Sequence, residues 1–206
     1  TGVDAGHPDL AGNVLAGYDF VNDDPDASDD SSHGTFVAGV IAALGDNGEG
    51  VAGIAWRSRI LPVKVLDAEG FGADAIVSKG IIFAVENKAR IINLSSGATE
   101  PSRLLEVAVK FADRRGVLVV TSAGNSGDKK NEVIYPAAYP SVLAIAATDE
   151  RDDVPAFSQR QPYVALAAPG VNIPGLAWRG GGRGDYLMHS GTSAAAPHVS
   201  GVAALL

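Results

Sequence analysis

Short runs built almost wholly of Val, Ile, Leu and Ala alternate along this chain with longer stretches of helical period, and few folds accept that pattern. The runs fall at 60–66 (ILPVKVL), 90–94 (RIINL), 117–122 (VLVVTS), 142–146 (VLAIA) and 164–168 (VALAA). A strand that is apolar on both faces must be covered on both, which predicts an α/β fold with a mostly parallel central sheet and helices on either side. Residues 73–88 place Ile76, Gly80, Phe83 and Asn87 at helical spacing, and 102–115 do the same with Leu104, Ala108 and Phe111. Ser102 suits an N-cap and Gly116 a C-terminal stop. Two further helical stretches, 33–44 and 192–206, are apolar nearly all round and are expected to be buried. In such a sheet, sites belong at the carboxyl ends of the strands.

At 206 residues the chain can close one core, so a single domain over 1–206 is expected. A net charge of −8, with no run of Lys or Arg to offset it, argues against nucleic acid and anionic membranes as partners and makes divalent cations more plausible. The absence of cysteine excludes thiol catalysis and cysteine-ligated metals. No apolar run approaches the roughly 18–20 residues that span a bilayer. The stretch 18–30, YDFVNDDPDASDD, carries six aspartates and reads either as a solvated loop or as a cation site.

Gly48-Glu49-Gly50-Val51-Ala52-Gly53 has the glycine spacing of a dinucleotide-binding turn, but a helix precedes it and a strand follows, the reverse of what that turn needs. Three other islands are more informative together than apart: SSHGTFVAGVIAAL with His33, VVTSAGNSG with Asn125, and HSGTSAAAPHVSGVAALL with Ser193. Acyl transfer requires such a set, because a hydroxyl is a weak nucleophile until a base takes its proton and the oxyanion formed needs positioned donors. Ser193, His33 and Asn125 fit those roles. An α/β-hydrolase esterase would need Gly-X-Ser-X-Gly and a nucleophile ahead of its histidine, and neither is present.

These islands, with Ser95-Ser96-Gly97, Tyr135-Pro136 and Ala168-Pro169-Gly170, resemble the subtilisin-like serine proteases (subtilases) over nearly the whole chain, especially the calcium-dependent, thermitase-like branch. The resemblance implies a three-layer subtilisin-like fold, with Ser193 as nucleophile, His33 as general base and then acid, and the Asn125 side chain with the Ser193 N–H as oxyanion hole. It also implies extended substrate lying along 65–72 and 93–97, beside a specificity pocket formed by Ser95, Ser96, Gly97, Ser122, Ala123 and Gly124. No acid lies in those pocket segments, so an uncharged, apolar P1 side chain is expected. In the family an aspartate precedes the Thr-Gly-Val pattern and orients the histidine; here that position would be one residue before Thr1. The chain therefore reads as cut at both ends, with the family's first central strand also upstream. A domain that binds peptides without cleaving them is the alternative.

The resemblance further implies calcium as structural cofactor. One site would use the Asp9 carboxylate, the Asn47 side chain and the carbonyls of Leu44, Glu49 and Val51; a second would use Asp19, Asn22, Asp24, Asp26 and Ser28 of the acidic stretch. A third, weaker site would use the carbonyls of Ala137, Tyr139 and Val142. Departures from the family pattern include Phe36 where a second histidine is common and Ala194 where a methionine follows the nucleophile. Ser96 and Ala98 stand in place of Leu and Gly beside the pocket. His7, His189 and His198 lack a companion acid or nucleophile motif and read as structural. From the family alone, a secreted monomer acting on peptides or proteins is expected.

Overall fold

Four of the five apolar runs pair into one sheet. In the computed structural model, which describes residues 1–178 and 185–206, strands β3 (Ile91–Leu94), β4 (Leu118–Ser122), β5 (Leu143–Thr148) and β6 (Val164–Pro169) lie side by side in chain order, every pair parallel. Both faces of β4 and β5 are covered, whereas β6, expected to be buried from its apolar run, is an edge strand that leaves Leu166 50% exposed. Val119 of β4 packs with Leu105, Ala108 and Val109 of helix α3 (Arg103–Arg114) and with Val77 and Ile81 of helix α2 (Asp74–Glu86). Its neighbour Val120 points the other way, onto Ala195 and Ala196 of helix α4 (Thr192–Leu205). The helix ends match their sequence signals: the Ser102 hydroxyl accepts the Leu105 N–H, and Gly116 follows α3 with φ +71°, where a side chain would be strained.

Helix α1 (His33–Ala42) runs beneath the sheet against α4 and a hairpin, and its low amphipathicity follows from being covered on most sides. That hairpin, β7 (Ile173–Ala177) with β8 (Asp185–His189), is antiparallel and was not expected from the apolar pattern. It lies so close to α1 that a Cβ on Gly39 would come within 2.5 Å of Leu176, and one on Gly175 within 2.4 Å of Phe36. α4 contains Pro197, which has no N–H to offer the Ser193 carbonyl four residues back; the Ser95 hydroxyl donates to that carbonyl instead, at 3.3 Å.

The run at 60–66 behaves differently from the other four. Only Val63–Lys64 forms a strand (β2), and it pairs in parallel with the two-residue β1 (Tyr18–Asp19) rather than with β3. Between the facing edges of β2 and β3 lies a cavity of about 510 Å³, floored by Ala38 of α1 and Ser200 of α4 and roofed by Gly80 of α2. Thr1, His33 and Ser95 lie on its lining. Among the described residues no helix is long and apolar enough to cross a membrane.

Candidate active site

The carboxyl ends of β3 and β4 point toward the amino ends of α1 and α4, so the three islands meet there. His33 is the first residue of α1. The preceding Ser32 adopts φ +76° and ties its hydroxyl to Trp178, donating to the carbonyl at 2.6 Å and accepting the N–H at 3.1 Å. The first turn of α1 is served by the buried Asp29, whose carboxylate accepts the Thr35 N–H (2.8 Å), the Thr35 hydroxyl (2.6 Å) and the Thr1 hydroxyl (2.9 Å). An acid there also complements the helix dipole. Thr1 in turn accepts the Gly34 N–H at 3.0 Å and gives its carbonyl to the buried Lys64 ammonium at 3.1 Å. Lys64 completes its three donations on Asp30 and the Leu66 carbonyl.

The His33 ring accepts or donates no hydrogen bond among the described residues. Burial, helped by the neighbouring His189, pulls its pKa down, with Asp29 opposing. His33 therefore sits in the cleft as a neutral imidazole at pH 7.

Ser193 is the second residue of α4 and is buried to 7% exposure. Its backbone N–H meets no acceptor among the described residues, as expected in the first turn of a helix. Asn125 follows β4 and is exposed on the cleft side. Its Oδ1 accepts both the Thr192 N–H (2.8 Å) and the Thr192 hydroxyl (2.9 Å), and Thr192 Oγ1 accepts the Gly124 N–H at 3.1 Å. With Oδ1 held by two donors, the amide can turn only its Nδ2 toward the nucleophile. Gly191 marks the meeting point: a Cβ there would lie 3.2 Å from Ser193 Oγ, 3.4 Å from Asn125 Nδ2 and 3.5 Å from His189 Nε2.

His189, which the sequence alone places among the structural histidines, lies with its Nε2 3.3 Å from Ser193 Oγ, whereas no hydrogen bond joins His33 to that oxygen. His7 Nδ1 accepts the Asp9 N–H and its Nε2 meets the Asp185 carbonyl, and His198 Nδ1 bonds the Ala194 carbonyl. The spacing of His189 four residues before Ser193, across a Ser-Gly turn, was the one signal available.

Among the pocket residues, Ser122 and Ala123 are buried at the end of β4, while Ser95 and Ser96 are half-buried at the end of β3. The Ser95 hydroxyl accepts from Asn93 Nδ2 at 2.9 Å. Gly124, at φ +110°, has no space for a Cβ beside Gln159 and Ile134, and Gly97 is exposed but crowded by Ile134. Ala98 pairs with Tyr135 through two backbone hydrogen bonds of 2.9 and 2.8 Å. Part of the 65–72 segment folds on itself, since Asp67 binds the carbonyl and N–H of Phe71 through its own N–H and carboxylate.

The proposed cation ligands form three sets. Asp9 is fully buried; its Oδ1 accepts from Asn47 Nδ2 (2.7 Å) and its Oδ2 from the Val51 N–H (3.0 Å) and the Tyr186 hydroxyl (3.1 Å). Burial, then Asp9, pushes the Tyr186 phenol up to about 12. The carbonyls of Leu44, Glu49 and Val51 accept no hydrogen bond from described residues, and Asn47 Oδ1 accepts the Glu49 N–H at 3.1 Å. This oxygen-rich set fits a hard cation in kind. In the second set Asp19 accepts the Val21 and Asn22 N–H groups and the Asn22 side-chain amide, Asp24 accepts the Asp26 N–H, Asp26 accepts from Ser28, and Asp19 and Asp24 are paired by two backbone hydrogen bonds of 2.8 and 3.0 Å. No three acids or histidines gather around one point among the described residues. In the third set the Tyr139 carbonyl accepts the Val142 N–H at 3.1 Å.

Burial also lowers the pKa of His189 and His198. His33, His189 and His198 thus have folded pKa values below the unfolded value of about 6.5, so the unfolded chain binds more protons as pH falls through about 6.5. Stability should therefore drop as pH falls below about 6.5. Urea midpoints that stay level over this range would contradict it.

Comparison with known proteins matches the Subtilase family, Peptidase S8, over residues 1–206. The chain belongs to that family. It is 45% identical over its full length to a thermophilic serine proteinase of Bacillus sp. (strain AK1), of which it spans 50%. It is 42% identical over its full length to thermitase of Thermoactinomyces vulgaris, of which it spans 72%. A crystal structure of a cold adapted subtilisin-like serine proteinase superposes on the whole chain with a TM-score of 0.88 at 38% identity, and 71% of that structure is covered. The expected subtilisin-like α/β architecture is thereby established.

Proposed function

We propose that this protein is a serine endopeptidase that cleaves peptide bonds through an acyl-enzyme on Ser193. The observation that supports it best is the convergence of the Ser193 hydroxyl and the Asn125 amide N–H on one point beside an unsatisfied Ser193 backbone N–H. In this reading Ser193 Oγ bonds to the scissile carbonyl carbon while its proton passes to His33. The carbonyl π pair moves onto oxygen, which takes hydrogen bonds from Asn125 Nδ2 and Ser193 N. Collapse breaks the C–N bond, the imidazolium gives its proton to the departing amine, and water repeats the sequence to free the acid. Because Thr1 lies on the first turn of α1, a residue bonded to its nitrogen would stand beside His33, and we assign the orienting aspartate to that position.

The test uses the full natural chain. It should hydrolyse peptides with uncharged, apolar P1 residues and be stopped by a fluorophosphonate that labels Ser193. Peptide binding without hydrolysis or labelling would instead support the non-catalytic reading, which the unbonded His33 ring favours. Secretion and a monomeric state belong to the same proposal and rest on family membership.

Calcium is proposed as a structural ion held by Asp9, Asn47 and the Leu44, Glu49 and Val51 carbonyls, with the Asn47 amide turned over so that Oδ1 faces Asp9. When bound it would neutralise the buried carboxylate and tie the turn Pro8–Leu10 to loop 44–51. Residues 19–28 would take a cation on the carboxylate lone pairs that their capping bonds leave free. Chelation is expected to lower Tm by about 5–10 °C, reversed by added calcium. An unchanged melt in excess chelator would remove the ion from the proposal.

A further inference from the structure

The geometry points to His189 as a second base for Ser193, able to take the hydroxyl proton when His33 does not. The inference rests on the serine-nucleophile reading above. His189 closes β8, and its backbone is held in register opposite Ile173 of β7. The next residue, Ser190, accepts the Asn172 N–H at 2.8 Å, which pins the turn into α4. The His189 ring packs edge-on against Phe36, centroids 5.1 Å apart, and stands 6.0 Å from the His33 ring at 75°. The two histidine rings are neighbours, and the ring in hydrogen-bond reach of Ser193 Oγ, at 3.3 Å, is His189.

In the step assigned to it, the Ser193 O–H bond breaks, its electron pair forms the bond to the attacked centre, and the proton goes to His189 Nε2. With a fluorophosphonate the P–F bond then breaks, fluoride leaves with the pair, and the imidazolium releases its proton to water. His189 must be neutral to accept, and burial favours that form. The titratable group facing it from α1 is His33; β7 and the first turn of α4 contain none, and on β8 the other titratable groups are Asp185 and Tyr186.

The experiment measures labelling rates with a fluorophosphonate from pH 5 to 9 for the full natural chain, His33→Ala, His189→Gln and the double variant. His33→Ala should retain labelling that rises with pH through one titration. Adding His189→Gln should lower that rate at least tenfold, by about the low end of general-base effects, and flatten the profile. Glutamine still accepts a hydrogen bond but takes no proton, so a purely structural role would leave the profile unmoved. If melts show that glutamine loosens the hairpin, His189→Phe keeps the ring packing and gives the same reading. Equal rates and equal profiles in His33→Ala and the double variant would overturn the inference. No labelling of the unsubstituted chain would overturn the serine-nucleophile reading and the second base with it.

Discussion

Ser193→Ala is expected to abolish fluorophosphonate labelling and to lower peptide turnover by about 10⁶-fold, a scale that comes from the subtilisins themselves and not from this geometry. The effect should be chemical rather than structural. Ser193 Oγ bonds only to His189 among the described residues, while the backbone of the residue holds its place through the carbonyl bond to Ser95. Removing one oxygen leaves the first turn of α4 and its Thr192–Asn125 bonds intact, so the melting curve should barely move. Measurable turnover within a hundredfold of the unsubstituted chain would mean that another group carries the reaction.

The second large effect is expected at Asn125. Alanine would be an ambiguous replacement, because Asn125 Oδ1 also holds Thr192 through two hydrogen bonds. Aspartate keeps that acceptor and replaces the amide donor with a second oxygen directed at the developing negative charge. Asn125→Asp should therefore fold with α4 in place, bind substrate with little change in KM, and lose about 10²- to 10³-fold in kcat, again a subtilisin scale. A loss appearing in KM alone would assign Asn125 to substrate binding rather than to the oxyanion.

The sheet was legible in the sequence wherever a strand is buried on both faces, since runs such as VLVVTS have no other stable home. Helices with clear ends, Ser102 before α3 and Gly116 after it, were legible to within a residue or two. The β7–β8 hairpin was not. Its first strand, Ile173–Ala177, contains both a proline and a glycine, and its second leaves Met188 61% exposed, so neither has the density of apolar residues that marks a central strand. That omission also hid His189, whose proximity to Ser193 depends on how the hairpin returns to α4.

Site chemistry divided in a similar way. His33 and Ser193 open helices and Asn125 follows a strand, positions that the sequence pattern marks. The acidic residues 19–28 were read by residue type, but type does not say whether a carboxylate faces an ion or its own backbone. Asp19 shows the local bonding that residue type leaves out: its Oδ1 accepts two backbone N–H groups and its Oδ2 the Asn22 side-chain amide.

Pro197 gives the cleft a mechanical property. In an uninterrupted helix the Ser193 carbonyl would be answered from within α4, leaving the Ser200 hydroxyl, which donates to Asn93 Oδ1 at 2.8 Å, to tie that helix to β3. Here the proline leaves that carbonyl to Ser95, at the end of β3 where a peptide would be received. The wall of the cleft and the attacking residue are thereby coupled like two ends of a short strut. A ligand that presses β3 outward moves the anchor of the nucleophile with it, and one that settles against β3 stiffens both.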